Sequence, residues 1–344
     1  MLEYDPWSHA ALQEALALYE RKELSVLDVE LGEACNYRCV YCDSPDRKAI
    51  SRPKHDIVRN LVRTMPVGWV FVCGLGEPMA GSNQGELLGI LASCASARIR
   101  CSLFTNASLL SDQVTDYVKA GTLSVLFKLD SLRPASIRYL YGTDDPETQL
   151  HRIRDLLKCA RVQNGLANVA ASIVTTRVNI DELETLLQFC DDNGVFPLVA
   201  DLEDSGKALS MRDELKLSRE QLTAIRCRLH VRYGQDYTVP VCPSVIAGIH
   251  VSHDNWLVVD EATGLSCHWF WLKEPKIRRL LQVDGGSRYA DMKEAVWTYR
   301  DRMLSETERL LAESPWLPIG GCGGDIKKML SLYLMSHCRA SNQG

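Results

Sequence analysis

The chain has no uninterrupted apolar run long enough to cross a bilayer and no cleavable signal at its start. A membrane-spanning or secreted protein is therefore not expected, and a cytoplasmic one is. Positive charge is not in excess: 39 Lys and Arg stand against 44 Asp and Glu, a net charge of −5. A nucleic-acid partner would call for a basic footprint, and the sequence has none. Histidine is sparse, with none within ten residues of Cys42. Cysteine is not sparse. The chain has 13, in 344 residues of which 46% are apolar, enough for one large domain and a smaller one.

In a reducing compartment so many thiols argue for metal ligands rather than disulfides. Three fall within eight residues, Cys35-Asn36-Tyr37-Arg38-Cys39-Val40-Tyr41-Cys42, spaced C-x3-C-x2-C. On one short loop their sulfurs can converge on one inorganic centre, and soft thiolates suit iron–sulfur clusters and zinc. A closed structural site takes four ligands, so three leave one metal position for a group that is not protein. The alternatives are a zinc knuckle, which lacks its nearby histidine, and three unrelated core thiols.

This stretch resembles the signature of the radical S-adenosylmethionine (SAM) enzymes, C-x3-C-x-aromatic-C, with Tyr41 at the aromatic position and Asn36 after the first cysteine. The resemblance implies a [4Fe-4S] cluster on Cys35, Cys39 and Cys42, with SAM chelating the fourth iron. Reductive cleavage of SAM would then yield a 5′-deoxyadenosyl radical that abstracts hydrogen from substrate. It also implies an electron donor such as a flavodoxin or ferredoxin.

Residues 1–23 read as a helix with Leu12, Leu16 and Tyr19 on one face, too short to be a recruitment domain. Strand patterns at 24–32, 69–73, 99–104, 123–129, 169–175 and 196–202 alternate with helical ones at 84–96, 111–121, 147–163 and 183–194. Ser111 is placed to cap the second of these helices. The rhythm argues for parallel α/β architecture. Six units are too few for a closed eight-fold barrel. Periodicity alone leaves a doubly wound sheet open, and the resemblance implies a partial (β/α)6 TIM-like barrel. Expected boundaries are a helical segment at 1–23, the barrel at 24–215 and a small C-terminal auxiliary domain at 216–344.

Gly74-Leu75-Gly76-Glu77-Pro78 follows the second strand; its glycines allow close backbone approach and its carboxylate can hold an ammonium group. It resembles the family's Gly-Gly-Glu-Pro motif, with Leu75 in place of one glycine, and implies that Gly76, Glu77 and Pro78 lie on SAM. Thr105-Asn106-Ala107 resembles the family's Thr-Asn-Gly, with alanine as the departure. Related enzymes also place polar groups like those of Lys128-Leu129-Asp130-Ser131 on SAM, which makes Asn106, Asp130 and Ser131 candidates beside Tyr41. Ser172, Asp201 and Glu203 on later strand ends are further candidates, with solvated strand ends as the alternative. Cys73, Cys94, Cys101, Cys159 and Cys190 sit in apolar patterns and read as buried thiols.

Ser218 and Gln221 form a capping-box pair before a helix that ends near Gly234. The alternation then stops. Cys242 opens a segment in which 249–253 and 256–259 flank Asp254-Asn255 as in a hairpin, followed by Cys267-His268, Cys322 among glycines, and Cys338. This resembles the SPASM or shorter twitch extensions of radical SAM enzymes, without the dense cysteine run of a full SPASM domain. The resemblance implies at most one auxiliary iron–sulfur cluster, on Cys242, Cys267, Cys322 and Cys338, with Cys227 the rival of Cys338 and His268 beside Cys267. Plain buried thiols, a zinc site or a hydrogen-donating cysteine are the alternatives.

The expected function is a radical SAM enzyme acting on a small natural-product substrate, a sugar, aminocyclitol or nucleoside, by oxidation, epimerisation or C–C bond formation. A maturase of a ribosomal peptide is the second reading. A zinc-binding protein without radical chemistry is the third.

Overall fold

The computed structural model describes residues 2–42, 53–74, 76–202, 206–234, 242–261, 264–266 and 277–312. Strands β1 (Val26–Val29), β2 (Trp69–Val72), β3 (Arg100–Thr105), β4 (Leu123–Lys128), β5 (Val169–Thr175) and β6 (Phe196–Asp201) pair in sequence order, all parallel. Helix α1 (His9–Glu20) precedes them. Between them run α2 (His55–Thr64), α3 (Asn83–Ala97), α4 (Asp112–Lys119), α5 (Pro134–Tyr141), α6 (Pro146–Leu157) and α7 (Leu183–Asp192). Strands such as Trp69–Val72 are buried along their whole length, which is why they read as continuous apolar runs. The sheet is open, as a partial TIM-like barrel requires.

Its two faces follow from register. Asp28 lies beside Phe71, Phe71 beside Ser102, and Ser102 beside Ser124, so these side chains share one face. Cys101 points the other way, its free thiol hydrogen-bonded with that of Cys94 of α3. The face of Asp28 is therefore the inner one. The Tyr4 hydroxyl reaches the Ser102 hydroxyl there, 2.9 Å away.

The C-terminal part does not stand apart from this sheet. After α8 (Arg219–Tyr233), whose N-terminus carries the expected Ser218/Gln221 capping box, come the five-residue α9 (Pro243–Ala247) and β7 (Gly248–Val251). Strand β7 was expected only as the first arm of a hairpin, but it also pairs parallel to β1. Antiparallel β8 (Trp256–Asp260) and β9 (Ile277–Gln282) follow, giving a nine-stranded sheet in the order β9-β8-β7-β1-β2-β3-β4-β5-β6. Helix α10 (Tyr289–Ala312) closes the described chain. Among the described residues no helix is long and apolar enough to cross a membrane.

Other expectations need correction. The helix read over 147–163 stops at Leu157, because Val162–Gln163 and Leu166–Ala167 form a small ribbon turned by Asn164-Gly165, both at positive φ. Asn-Gly is the strongest short signal for such a turn. Glu3–Tyr4 adds a third strand to it. Ser111 does occupy the N-cap of α4, but its hydroxyl makes no capping bond. Helices α2 and α5 were not foreseen at all.

One buried cation pins the added hairpin to the barrel. Lys54, at the N-cap of α2, sends its ammonium to the carbonyls of Ser252 (2.8 Å) and His253 (2.9 Å) and to Asn255 Oδ1. Removing it leaves those acceptors without their cation in a dry site. Lys54→Met should cost about 2–4 kcal/mol, read as a lower urea midpoint with an unchanged slope.

Candidate active site

The cysteine loop follows β1 and rests on α5. Its Arg38 and Val40 N–H groups donate to the carbonyls of Tyr141 (2.8 Å) and Leu140 (3.0 Å), and Tyr37 stacks on Tyr141 with centroids 5.6 Å apart. The sequence signal for α5 was present in Pro134 at its first turn and Gly142 just past its end. Within the loop Cys39 is buried, while Cys35 and Cys42 are half-buried. Asn36 donates to the Ser108 hydroxyl (2.8 Å) and accepts from Asn106 Nδ2 (3.0 Å), so the loop is tied to the end of β3.

The glycine motif docks onto the residues just before Cys35. Gly76 has φ of 79°, and a Cβ there would lie 2.2 Å from the Gly32 carbonyl oxygen. Only glycine fits that approach. The Glu77 N–H then donates to the Ala34 carbonyl at 2.7 Å. Asn83 Nδ2, at the start of α3, bridges the carbonyls of Gly32 and Glu77, 3.1 Å from each.

This packing buries the Glu77 carboxylate, 1% exposed. Thr105 Oγ1 donates to it at 2.6 Å, the Asn106 N–H at 2.7 Å and the Met79 N–H at 3.2 Å. Among the described residues no cation pairs with it. Burial pushes its pKa up to about 7, held from going further by those three donors. A positive charge delivered here would therefore be strongly favoured.

Asp130 forms the second polar anchor. The Tyr41 hydroxyl donates to it, the Val174 N–H donates at 2.8 Å, and Lys128 Nζ lies 3.2 Å away. The same ammonium sits 4.8 Å from the Tyr41 ring centroid. Ser131 turns elsewhere, donating to Glu182 at 2.6 Å. Ser172 is buried on the inner face opposite Lys128, Asp201 ends β6, and Pro78 is buried beside Glu77. Leu75, Glu203, Cys267, His268, Cys322 and Cys338 lie outside the described residues.

The donor set fits a thiolate-bound cluster by its chemistry. Burial pushes the Cys39 thiol far up, so it stays protonated until a metal displaces the proton. Among the described residues no three His, Cys, Asp or Glu side chains are gathered as one metal ion would need. A cubane instead spreads its cysteines over different irons.

Residues unforeseen in the sequence lie on the same rim. Asp28, Glu30, His250 and His253 cluster where β1 meets β7, and Cys73 joins them. Cys73 is half-buried and hydrogen-bonded, not the inert core thiol expected. Two carboxylates in the apolar run Leu-Ser-Val-Leu-Asp-Val-Glu-Leu were the available signal.

A pH dependence follows from Glu77. Its folded pKa exceeds the ordinary 4.5, so the folded state binds the extra proton and loses stability as pH rises from about 4.5 through about 7. The ligand-free protein should be less stable at pH 8 than at pH 6 by about 1 kcal/mol from this carboxyl, and should melt lower accordingly. Glu77→Gln should remove most of that difference in a calorimetric pH series.

Known proteins point the same way. Residues 29–190 match the family model of the Radical SAM superfamily. A protein of Xanthomonas campestris pv. campestris (strain 8004) named GTP 3′,8-cyclase is 28% identical over 222 residues, covering 62% of this chain and 63% of its own. The chain thus spans less than two thirds of that relative. A GTP 3′,8-cyclase of Cyanothece sp. is 30% identical over 129 residues, 35% of this chain and 39% of its own. Among solved structures, Streptococcus suis SuiB bound to S-adenosylmethionine superposes with a TM-score of 0.60 at 14% identity, covering 91% of this chain and 77% of SuiB. Native anSMEcpe with bound AdoMet gives 0.59 at 14% identity, covering 93% of this chain and 99% of that one. These likenesses establish the fold. The family match identifies residues 29–190, which include the three-cysteine loop, as a radical SAM superfamily domain.

Proposed function

We propose that this chain is a radical SAM enzyme acting on a small polar natural-product substrate: a sugar, an aminocyclitol or a nucleoside. The observation that carries the reading is the buried Glu77 carboxylate, held by three donors without a cation among the described residues, at the strand ends that carry the cysteine loop. Cys35, Cys39 and Cys42 would hold the [4Fe-4S] cluster, and Glu77 the SAM ammonium. Gly76, Pro78, Tyr41, Asn106, Asp130, Ser131 and Ser172 would shape the remaining wall. Once bound, cluster and SAM supply a radical that removes a carbon-bound hydrogen. The chain's own part is to orient the two reactants and keep water out.

A polar substrate suits an inner face that carries Asp28, Ser102 and Ser124. The relatives named GTP 3′,8-cyclase support the nucleoside end of that class. A ribosomal peptide is the rival substrate, and a fold likeness at 14% identity carries no weight in that choice. Oxidation, epimerisation and C–C bond formation are the outcomes this class admits. A flavodoxin- or ferredoxin-type donor in the cytoplasm would supply the electron.

An auxiliary iron–sulfur cluster in residues 216–344 belongs to the same proposal. Cys242 opens α9, and the Ser266 N–H donates to Val245 of that helix at 3.2 Å, so the chain leading to Cys267 starts beside it. Arg300 lies buried against the same place, donating to Ile246 and Gly264 carbonyls at 2.8 Å each, with Nη2 making no hydrogen bond among the described residues. A buried cation with no carboxylate paired to it among the described residues suits a thiolate-ligated, anionic cluster.

Two measurements test the reading. Anaerobic incubation with SAM and reductant should yield 5′-deoxyadenosine, and Glu77→Gln should raise the SAM KM about 10- to 100-fold for a lost charge-assisted bond. After reconstitution, a Cys35→Ala, Cys39→Ala, Cys42→Ala triple variant should keep about four irons, as a four-cysteine cubane requires. A triple variant without iron sinks the auxiliary cluster. A wild type that never cleaves SAM sinks the enzyme.

A further inference from the structure

On the inner face a chain of titratable groups runs away from the Glu77 site. His253 Nδ1 lies 3.4 Å from Glu30 Oε2, and the other Glu30 oxygen lies 3.3 Å from His250 Nε2. The remaining ring nitrogen of His250 lies 3.5 Å from Asp28 Oδ2. Asp28 Oδ1 accepts from the Cys73 thiol at 3.1 Å. Asp28 Oδ2 accepts from the Ser244 hydroxyl at 3.1 Å, and Cys242 Sγ lies 3.0 Å from that hydroxyl.

Its placement is more telling than its length. Asp28, Glu30 and His250 are fully buried, whereas His253 and Cys73 at the two ends are only partly so. Cys73 follows the last residue of β2 and stands four residues before Glu77. Three elements converge to build the chain: β1 with its C-terminal extension, β2, and the β7 hairpin held by Lys54. A fully buried carboxylate–imidazole–carboxylate series is costly to assemble and contributes little stability that apolar packing would not. Its continuity from solvent to a thiol at the mouth of the barrel calls for another use.

We propose that Cys73 is a hydrogen-atom donor to a carbon radical in the barrel interior, and that Asp28, His250, Glu30 and His253 relay the proton that restores its thiol. This rests on the radical reading above. In the donation step the Cys73 S–H bond breaks homolytically as a C–H bond forms, leaving a sulfur-centred radical. One electron from the low-potential reductant the family requires, and one proton from the relay, return it to S–H. Asp28 keeps the thiol protonated, and a thiol rather than a thiolate is the form able to give up a hydrogen atom. His250 is suited to carry the proton: burial alone would lower its pKa, but Asp28 and Glu30 lift it to about 9. The two carboxylates beside it make the imidazolium the resting form.

The first test needs no cofactor. Iodoacetamide labelling of the ligand-free protein, mapped by mass spectrometry, should modify Cys73 slowly at pH 7.5. Asp28→Asn should accelerate it about tenfold, the effect of one pKa unit on thiolate content. Equal rates in the two proteins would overturn the carboxylate's hold on the thiol. The second test uses SAM and dithionite in D2O with the reconstituted enzyme and no other substrate. The 5′-deoxyadenosine formed should carry deuterium from the exchanged Cys73 thiol, and the near-isosteric Cys73→Ser should form it unlabelled. Unlabelled product from wild type, or undiminished label from Cys73→Ser, would refute the donor. Failure of wild type to form any 5′-deoxyadenosine would instead refute the reading beneath it.

Discussion

The site depends on one close approach, the Gly76 backbone against the Gly32 carbonyl oxygen, where a Cβ would stand 2.2 Å away. That contact brings the end of β2 onto the segment leading from β1 to Cys35. With the backbones locked there, Glu77 has nowhere to point except inward, under the donors at the end of β3. The cysteine loop is held from the other side by the end of α5 and by Asn36 against Asn106 and Ser108. Three strand ends thus fix one carboxylate and three thiols before any ligand arrives. Such pre-organisation moves ordering cost from binding to folding.

The electrostatics follow the same logic. Asp130 is consumed by Lys128, Tyr41 and the Val174 amide, and Ser131 by Glu182. Glu77 has hydrogen-bond donors but no positive neighbour among the described residues. A protein that buries a carboxylate this way sacrifices stability near neutral pH, and the sacrifice is recovered only when a cation binds. In the sequence Glu77 was the candidate for an ammonium group and Asp130 a candidate for other polar groups of SAM. The structure separates them: Asp130 is paired with Lys128, whereas Glu77 has only hydrogen-bond donors among the described residues.

The legible part of the fold was what local pattern encodes. Six buried strands read as short apolar runs, the capping box at Ser218 as itself, and the hairpin turn at Asp254-Asn255 as a turn. Helix α2 escaped because Lys54 at its N-cap makes no side-chain capping bond, so no local signal marks its start. The ribbon at 162–167 escaped because its Asn-Gly turn was absorbed into the tail of a helix that stops at Leu157. Strand β7 shows a deeper limit. Its residues announced a strand, but nothing local says that its partner is β1, more than two hundred residues earlier. Long-range pairing is set by which edge needs covering, and that is a property of the folded sheet.

The edge of β1 left exposed by a six-stranded barrel also explains why its interior became charged. By adding β7 there, the chain buries His250 beside Asp28, their residues directly in register. An apolar pair would have sealed the same edge at lower electrostatic cost. Lys54 secures the arrangement from the opposite end by holding the β7–β8 turn against α2, so the imidazoles cannot drift from their carboxylates without breaking that clamp. The position of Cys73 completes the case. Trp69 and Phe71, the inner-face residues that precede it on β2, are large and apolar, and on this strand polarity begins at Cys73, whose thiol donates to Asp28. A seam built for stability alone would have no reason to change character there, at the strand ends that also present the cysteine loop and Glu77.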